Sequence, residues 1–158
     1  MTFRKLTTRL EAQHQVEQWH KDGHQVVFTN GCFDLLHFGH IYLLRQCRVY
    51  GDKIIIGLNS SASISRLKGP HRPLQDDQSR LAVLDALELV DLIVIFDEDT
   101  PLNLINVLRP DVLVKGGDYQ PDQIVGANEI KSWGGQVIVV PYQPGFATTL
   151  LESKIKAL

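Results

Sequence analysis

The chain has 158 residues, of which 44% are hydrophobic and 22% are charged, values typical of one packed globular domain. A net charge of −2 provides no basic excess for a nucleic-acid partner. The two cysteines, Cys32 and Cys47, are too few for a disulfide-stapled secreted domain. No signal-peptide core or bilayer-spanning apolar run is present, so we expect a cytoplasmic protein without a membrane partner.

Helical and strand-like segments alternate along the chain. A capping-box pattern at Thr8 and Glu11 begins the first helix, and Gly23 ends it. Short apolar and β-branched runs predict five strands, at residues 25–29, 53–58, 92–96, 111–115 and 136–140. Helical spacing and start signals predict further helices at residues 39–50, 76–87, from Thr100-Pro101 onward, at about 126–133 and after Thr149.

This alternation predicts an α/β fold, a single Rossmann-like doubly wound domain with a five-stranded parallel sheet flanked by helices. We expect one domain over residues 1–158, with an N-terminal helix in residues 1–24 and the core in residues 25–158. Such sheets bind ligands at the carboxyl ends of their strands. The polar connection at residues 59–75 is long enough to predict a functional loop, and it holds a basic cluster at Arg66, Lys68, His71 and Arg72.

The loop after the first strand carries the most unusual pattern in the chain. Gly31 permits a tight turn and a close approach of backbone N–H groups to an anion. His37 and His40 are three residues apart at a predicted helix start, so both imidazoles can point the same way. Gly39 between them leaves space against the backbone. Two imidazoles beside the positive end of a helix predict a phosphate site.

Other interpretations of this loop remain open on the residues alone. His37, His40 and Asp34 are a conceivable metal site, although zinc sites favour more ligands and a second cluster. Either histidine is also compatible with a purely structural role. Cys32 invites a nucleophile interpretation, but no separate base is evident and small buried cysteines are common.

The run Asn30-Gly31-Cys32-Phe33-Asp34 followed by His37-x-Gly39-His40 resembles the signature of the HxGH nucleotidyltransferase superfamily. Further segments are similar to the D-glycero-β-D-manno-heptose 1-phosphate adenylyltransferase family: Gly57-Leu58-Asn59-Ser60, Leu67-Lys68-Gly69-Pro70-x-Arg72-Pro73, Arg80, Val90-Asp91, the run from Arg109 to Tyr119, and Thr148-Thr149. The chain departs from that family's usual pattern at Ser61 and Ala147, where Asp and Ser are common.

The resemblance, together with the loop chemistry, assigns roles to these residues. The expected catalytic residues are His37, His40, Lys68 and Arg72. The expected nucleotide-binding residues are Asn30, Gly31, Cys32, Phe33, Gly39, Arg80, Gly117, Asp118, Thr148 and Thr149. Asp34 and Asn59 are expected to bind the acceptor. Mg²⁺ would enter with ATP and be held through the phosphates, without a dedicated protein site.

The implied activity joins AMP from ATP to heptose 1-phosphate and releases pyrophosphate, in the route to ADP-heptose for lipopolysaccharide core. ATP and a sugar 1-phosphate are then the small-molecule partners, and a homo-oligomer, with a dimer favoured, is expected. The nearest alternative is a glycerol-3-phosphate cytidylyltransferase, whose usual arginine before the final threonines is missing here. A non-enzymatic alternative is a nucleotide-sensing module. We also expect residues 60–75 to be mobile and to close over the triphosphate.

Overall fold

The structure, a computed structural model, describes residues 2–158. Its centre is a five-stranded, all-parallel sheet with the order β3-β2-β1-β4-β5. The strands are β1 Val26–Gly31, β2 Lys53–Asn59, β3 Leu92–Phe96, β4 Val112–Gly116 and β5 Gln136–Val140. The predicted α/β class and parallel sheet are therefore confirmed, and each strand lies within one or two residues of its predicted position.

Seven helices surround the sheet: α1 Arg9–Lys21, α2 Phe38–Tyr50, α3 Ser61–Lys68, α4 Asp77–Ala86, α5 Leu102–Leu108, α6 Ala127–Ser132 and α7 Thr148–Lys156. A short 3₁₀ turn at Pro121–Gln123 precedes α6. The capping box predicted for α1 is present, with the Thr8 side chain accepting from the Glu11 amide. None of the helices in residues 2–158 combines the length and apolar character needed to span a membrane.

Both faces of the sheet are covered by apolar side chains. On one face, α1, α5 and α6 pack through residues such as Val16, Ile105 and Ile130 against the strands. On the other, α2 and α4 bury Leu44 and Leu84. Burial on both faces explains why the strands are nearly continuous apolar runs instead of alternating ones.

Two local predictions about this fold are wrong. The connection after β2 is not a loop throughout, because residues 61–68 form α3. Its serines, which favour loops in isolation, cap and anchor this helix: the Ser60 side chain accepts from the Ser63 amide, and the Ser63 hydroxyl donates to the Glu98 carbonyl. Thr100 does not cap α5, which begins one residue later than predicted, with Pro101 at the N-cap and no side-chain cap bond.

The sheet order brings the polar loops to one edge. The chain moves outward from β1 through β2 to β3, then crosses back so that β4 lies on the other side of β1. The carboxyl ends of β1 and β4 therefore border the point where the winding reverses, which is the usual ligand position in open parallel sheets.

Candidate active site

A cleft of about 930 Å³ opens at this edge of the sheet. Its walls come from the loop after β1, the ends of β2, β4 and β5, the C-terminal end of α3 and the start of α7. Eleven of the predicted site residues line it: Asn30, Gly31, Cys32, Phe33, His37, Gly39, His40, Asn59, Lys68, Thr148 and Thr149. The topology thus brings together residues that are separated by more than one hundred positions in the sequence.

The two histidines are held by backbone hydrogen bonds at the start of α2. The Gly39 amide donates to His37 Nδ1 at 3.1 Å, and the His37 amide donates to His40 Nδ1 at 3.2 Å. The ring centroids lie 4.0 Å apart. Because each Nδ1 accepts a hydrogen bond, each neutral ring carries its proton on Nε2. Both imidazoles can therefore donate one N–H to an anion in the cleft.

The pKa values of both imidazoles favour this neutral form. Burial lowers the pKa of His37 below its ordinary value. Burial, followed by repulsion from His37 and Lys68, lowers the pKa of His40 to about 4. In the free protein at neutral pH, His40 is therefore a dipolar hydrogen-bond donor and not a cation.

The loop between β1 and α2 has an unusual backbone. Phe33 and Leu35 have φ angles of 47° and 49°, in the left-handed region that non-glycine residues seldom adopt. The Leu35 amide donates to Gln75 Oε1 at 2.8 Å, which fixes the loop against the connection after α3. Such strain in a loop that lines a cleft is typical of functional sites, where the surrounding structure maintains it.

Gly39 has a steric role that differs from the prediction. A Cβ at this position would lie 2.9 Å from His37 Cε1 and 3.3 Å from the Phe146 carbonyl oxygen. The space beside Gly39 is therefore occupied by the His37 ring and by the chain before α7. A larger residue would displace the imidazole, so Gly39 positions His37 for its place in the cleft.

Arg80, a predicted nucleotide-binding residue, is not among the residues that line the cleft. Its side chain is fully buried, and its guanidinium donates to the Cys32 carbonyl at 2.7 Å and the Asn59 carbonyl at 2.9 Å. A salt bridge to Asp77 supplies the counter-charge. Arg80 therefore joins the ends of β1 and β2 and supports the loop from behind, because its Nη1 donates to the two strand-end carbonyls and its Nη2 to Asp77.

Asp34 and Arg72 are not among the residues that line the cleft, and their predicted acceptor-binding and catalytic roles stay predictions. The Asp34 carboxylate accepts from the amides of Leu74 and Gln75, at 2.8 and 3.0 Å, and from Arg72 at 3.1 Å. Burial opposes ionisation of Asp34, but these three donors together hold its pKa below the usual value. Arg72 also pairs with Glu152 on α7. Both charges are thus used to tie the connection after α3 to the β1 loop and to α7.

In the loop after β4, the cleft is lined by neighbours of the predicted nucleotide-binding residues Gly117 and Asp118. Gly117 and Asp118 are not among the residues that line the cleft, whereas Lys115, Gly116 and Tyr119 are. Gly117 has a φ of 138°, and a Cβ there would lie 2.6 Å from the Tyr119 ring. Gly117 therefore shapes the wall by letting Tyr119 fold back, while Asp118 is exposed to solvent.

Lys115 is the residue that the sequence-based assignment missed. It lies near the end of β4 and lines the cleft, and its Nζ is 3.3 Å from both the carbonyl oxygen and Oδ1 of Asn30. The sequence did contain a signal for this residue: Lys115 ends the apolar run of β4 and directly precedes a double glycine. Burial of a lysine is costly unless the ammonium has a purpose or a partner.

The charge balance of the cleft favours an anionic ligand. Lys68 and Lys115 provide two ammonium groups, and the two imidazoles add N–H donors. Asp99 is the carboxylate among the lining residues, and it already pairs with Arg66 at 2.9 Å. At the start of α7, the N-cap residue is Ala147, which has no side chain to accept from the first helical amides. Those amides face the cleft with the positive end of the helix dipole.

The described residues do not bring together side chains that could hold a metal ion. Within residues 2–158, no group of three or more His, Cys, Asp or Glu side chains is arranged to hold a metal ion. The His37–His40–Asp34 metal site considered from the sequence is contradicted by the geometry, because Asp34 bonds to the connection after α3 and each histidine Nδ1 accepts a backbone amide.

These features define a cleft suited to an anionic ligand, at the strand ends of a Rossmann-like domain. The chain belongs to the cytidylyltransferase-like family, whose family model matches residues 28–154. It is similar to the bifunctional protein HldE of Acidiphilium cryptum, with 50% identity over 98% of this chain and 32% of that protein. It is also similar to HldE of Gluconobacter oxydans, with 53% identity over 89% of this chain and 29% of that protein. The chain thus spans about a third of the length of these relatives.

A solved structure supports the same assignment of the fold. The lipopolysaccharide core biosynthesis protein from Thermoplasma volcanium superposes with a TM-score of 0.62 at 27% sequence identity. The match covers 77% of this chain and 98% of that one. The shared fold therefore includes nearly all of the Thermoplasma volcanium chain and about three quarters of this one.

Proposed function

We propose that this chain is an adenylyltransferase that transfers AMP from ATP to D-glycero-β-D-manno-heptose 1-phosphate, giving ADP-heptose and pyrophosphate. The observation that carries the transfer chemistry is the pair of Nε2–H donors of His37 and His40 beside Lys68, in a cleft whose lining carboxylate is already paired. The choice of heptose rests on the motif resemblance and on the HldE relatives at about half identity.

The reaction is a single in-line displacement at the α-phosphate of ATP. An oxygen of the sugar phosphate forms a new bond to the α-phosphorus while the bond from that phosphorus to the bridging α–β oxygen breaks. Both electrons of the broken bond leave with pyrophosphate. The attacking oxygen is already anionic, so no general base and no covalent enzyme intermediate are needed.

The protein's contribution is alignment and stabilisation of charge. His37 and His40 would donate Nε2–H to phosphate oxygens whose charge increases in the transition state. Lys68, at the end of α3, would neutralise the leaving pyrophosphate. The α7 amides beside Thr148 and Thr149 add a second helix N-terminus for the triphosphate. Thr148 also anchors α7, because its hydroxyl donates to the Asp34 carbonyl at 3.1 Å.

Magnesium would enter with ATP. The cleft fits an ion held through phosphate oxygens, because its charged side chains are the ammonium groups of Lys68 and Lys115 and the paired Asp99, and not a carboxylate cage. Bound there, Mg²⁺ would reduce the repulsion between the two anionic substrates. Cytoplasmic location and a dimer remain predictions; sedimentation velocity of the purified chain would test the second.

Pyrophosphate release over a matrix of nucleoside triphosphates and phosphorylated acceptors tests the assignment. ATP with heptose 1-phosphate should release pyrophosphate in the presence of Mg²⁺, whereas CTP with glycerol 3-phosphate should not. Efficient use of CTP and glycerol 3-phosphate would favour the cytidylyltransferase alternative. ATP binding without turnover of any acceptor in the matrix would favour a nucleotide-sensing module.

A further inference from the structure

Lys115 is a cation of the cleft without a carboxylate partner. Within residues 2–158, no Asp or Glu oxygen lies within salt-bridge distance of its Nζ. Its two hydrogen bonds go to oxygens of Asn30, both at the long distance of 3.3 Å. One of the three ammonium protons therefore has no acceptor in the described part of the chain, and the other two make only long hydrogen bonds.

This arrangement is unfavourable for a lysine with only a structural role. Burial lowers the pKa of Lys115, and repulsion from Lys68 lowers it further, while nearby Cys32 acts in the opposite direction. An apolar side chain of similar length would fill the same wall without that cost. The ammonium becomes favourable when an anion binds beside it.

Asn30 is oriented by the same contact. Its Oδ1 faces the Lys115 ammonium, so its Nδ2 protons point away from that ammonium. Within residues 2–158, these Nδ2 protons have no hydrogen-bond partner. Asn30 and Lys115 both line the cleft at neighbouring strand ends. Together they offer a charged donor and an amide donor, a combination suited to a phosphate.

The position of Lys115 differs from that of the histidines. Lys68 is close enough to affect the pKa of both His40 and Lys115, whereas neither histidine is among the groups that affect Lys115. Lys115 and Asn30 contact each other at the ends of β4 and β1, whereas His37 and His40 lie at the start of α2, so the cleft has donor groups on two different elements of its wall. A nucleotidyl transfer brings two phosphate groups together, and the cleft provides two neighbouring places for them.

We propose that Lys115 and Asn30 bind the phosphate of the acceptor and hold it against the α-phosphate of the nucleotide. This inference rests on the proposed transfer to a sugar 1-phosphate. The ammonium would screen the repulsion between the two phosphates and fix the attacking oxygen in line. The acceptor site is then built from the ends of β1 and β4, and not from the predicted Asp34.

Steady-state kinetics with Lys115→Met and Lys115→Arg tests the assignment. Lys115→Met should raise the KM for heptose 1-phosphate by about 10- to 100-fold, the loss typical of one charge-assisted hydrogen bond, and should change the dissociation constant of ATP less than threefold. Lys115→Arg should recover part of the loss. The matched control is Lys131→Met, which removes an exposed lysine paired with Asp122 on another part of the surface. An equal weakening of ATP binding in Lys115→Met would overturn the acceptor assignment.

The pH profile separates a phosphate-binding lysine from a structural one. Because the pKa of Lys115 is lowered, its charge is lost at a lower pH than that of an ordinary lysine. Cys32 and Lys68 are the titratable groups that influence it. The KM for the acceptor should therefore rise at alkaline pH in the wild type, and this rise should move to higher pH in Lys115→Arg. An identical profile in both proteins contradicts the proposal.

A measurement without turnover keeps this inference separate from the proposed function. Trinitrobenzenesulfonate labelling of Lys115, read by mass spectrometry, should be slowed by inorganic phosphate when a non-hydrolysable ATP analogue is bound. Lys131 should label at an unchanged rate. If wild-type protein turns over no heptose phosphate but phosphate protects Lys115, the proposed acceptor is wrong and the phosphate site stands. Unchanged Lys115 labelling overturns the site itself.

Discussion

The residues at the centre of the cleft act through the protonation state that their surroundings impose. His37 and His40 are expected from the sequence to bind phosphates, and the structure places both at the start of α2 with Nδ1 occupied. Burial lowers the pKa of both imidazoles and favours their neutral form, so the role that we propose for them is donation of Nε2–H. The positive charge of the cleft comes instead from Lys68 and Lys115. Dipolar donors are held ready by the backbone and need little reorganisation during the reaction.

Replacing His40 by Ala should lower kcat by about 10²- to 10³-fold, the usual loss for one transition-state donor. Pyrophosphate release with saturating ATP and heptose 1-phosphate measures the effect. His14→Ala is the control, because it removes an exposed imidazole from α1, away from the cleft. Circular dichroism should show that both variants are folded. A folded His40→Ala protein with near-normal kcat would remove the basis for the catalytic assignment.

At the scale of elements, the connection from β2 to α4 is more ordered than its sequence indicates. Two members of its basic cluster have carboxylate partners, because Arg66 pairs with Asp97 and Asp99, and Arg72 pairs with Asp34. Residues 61–68 are helical, and Asp34 fixes the amides of Leu74 and Gln75. Closure of residues 60–75 stays a prediction, and these contacts lead us to expect the largest movement in the short turn after Lys68, where Gly69 has a φ of 101°.

Closure of this turn over ATP stays a prediction, and Lys68 is its test. Lys68→Ala should lower kcat by about 10- to 100-fold while weakening ATP binding much less, because the contact to the leaving pyrophosphate would form mainly in the transition state. Lys21→Ala, an exposed lysine on α1, is the matched control. Hydrogen exchange of residues 69–71 should slow when ATP binds. Equal exchange with and without ATP would show that this segment does not close.

At the scale of the whole molecule, the site contributes to the pH dependence of stability. The pKa of His40 is about 4 in the folded chain, against an ordinary value of 6.5 in the unfolded chain. Between these values the unfolded chain binds more protons, so the folded state is favoured as the pH rises. The contribution is complete above pH 6.5 and is lost as the pH falls towards 4. Its upper bound is about 3 kcal/mol.

Urea unfolding at pH 7 and at pH 4.5 measures this contribution. The free energy of unfolding of the wild type should fall more steeply between these two values than that of His40→Ala, which lacks the titrating group. His14→Ala should show the wild-type difference. Parallel pH dependence in the wild type and His40→Ala would mean that His40 is not held neutral by the fold.

The sequence by itself determined the α/β class, the five parallel strands and the segment that carries the histidines. These features follow from local patterns: apolar runs, capping signals and a glycine-rich turn act over a few residues, so they are readable without knowledge of distant contacts. The resemblance of the motifs pointed to nucleotidyl transfer for the same reason, because the Asn30–His40 loop is one continuous stretch.

Only the tertiary structure decided which charged residues line the cleft. Arg72, Arg80 and Asp34 carry the same side-chain chemistry as phosphate- or hydroxyl-binding residues, but Arg72 and Asp34 pair with each other across 38 positions of the sequence. Arg80 bonds to Asp77 and to the strand-end carbonyls of Cys32 and Asn59. Lys115 has no carboxylate neighbour in the described chain and is turned into the cleft by the pairing of β1 with β4. Whether a charge is paired or available depends on contacts between strands and loops that are far apart along the chain, and the fold alone establishes those contacts.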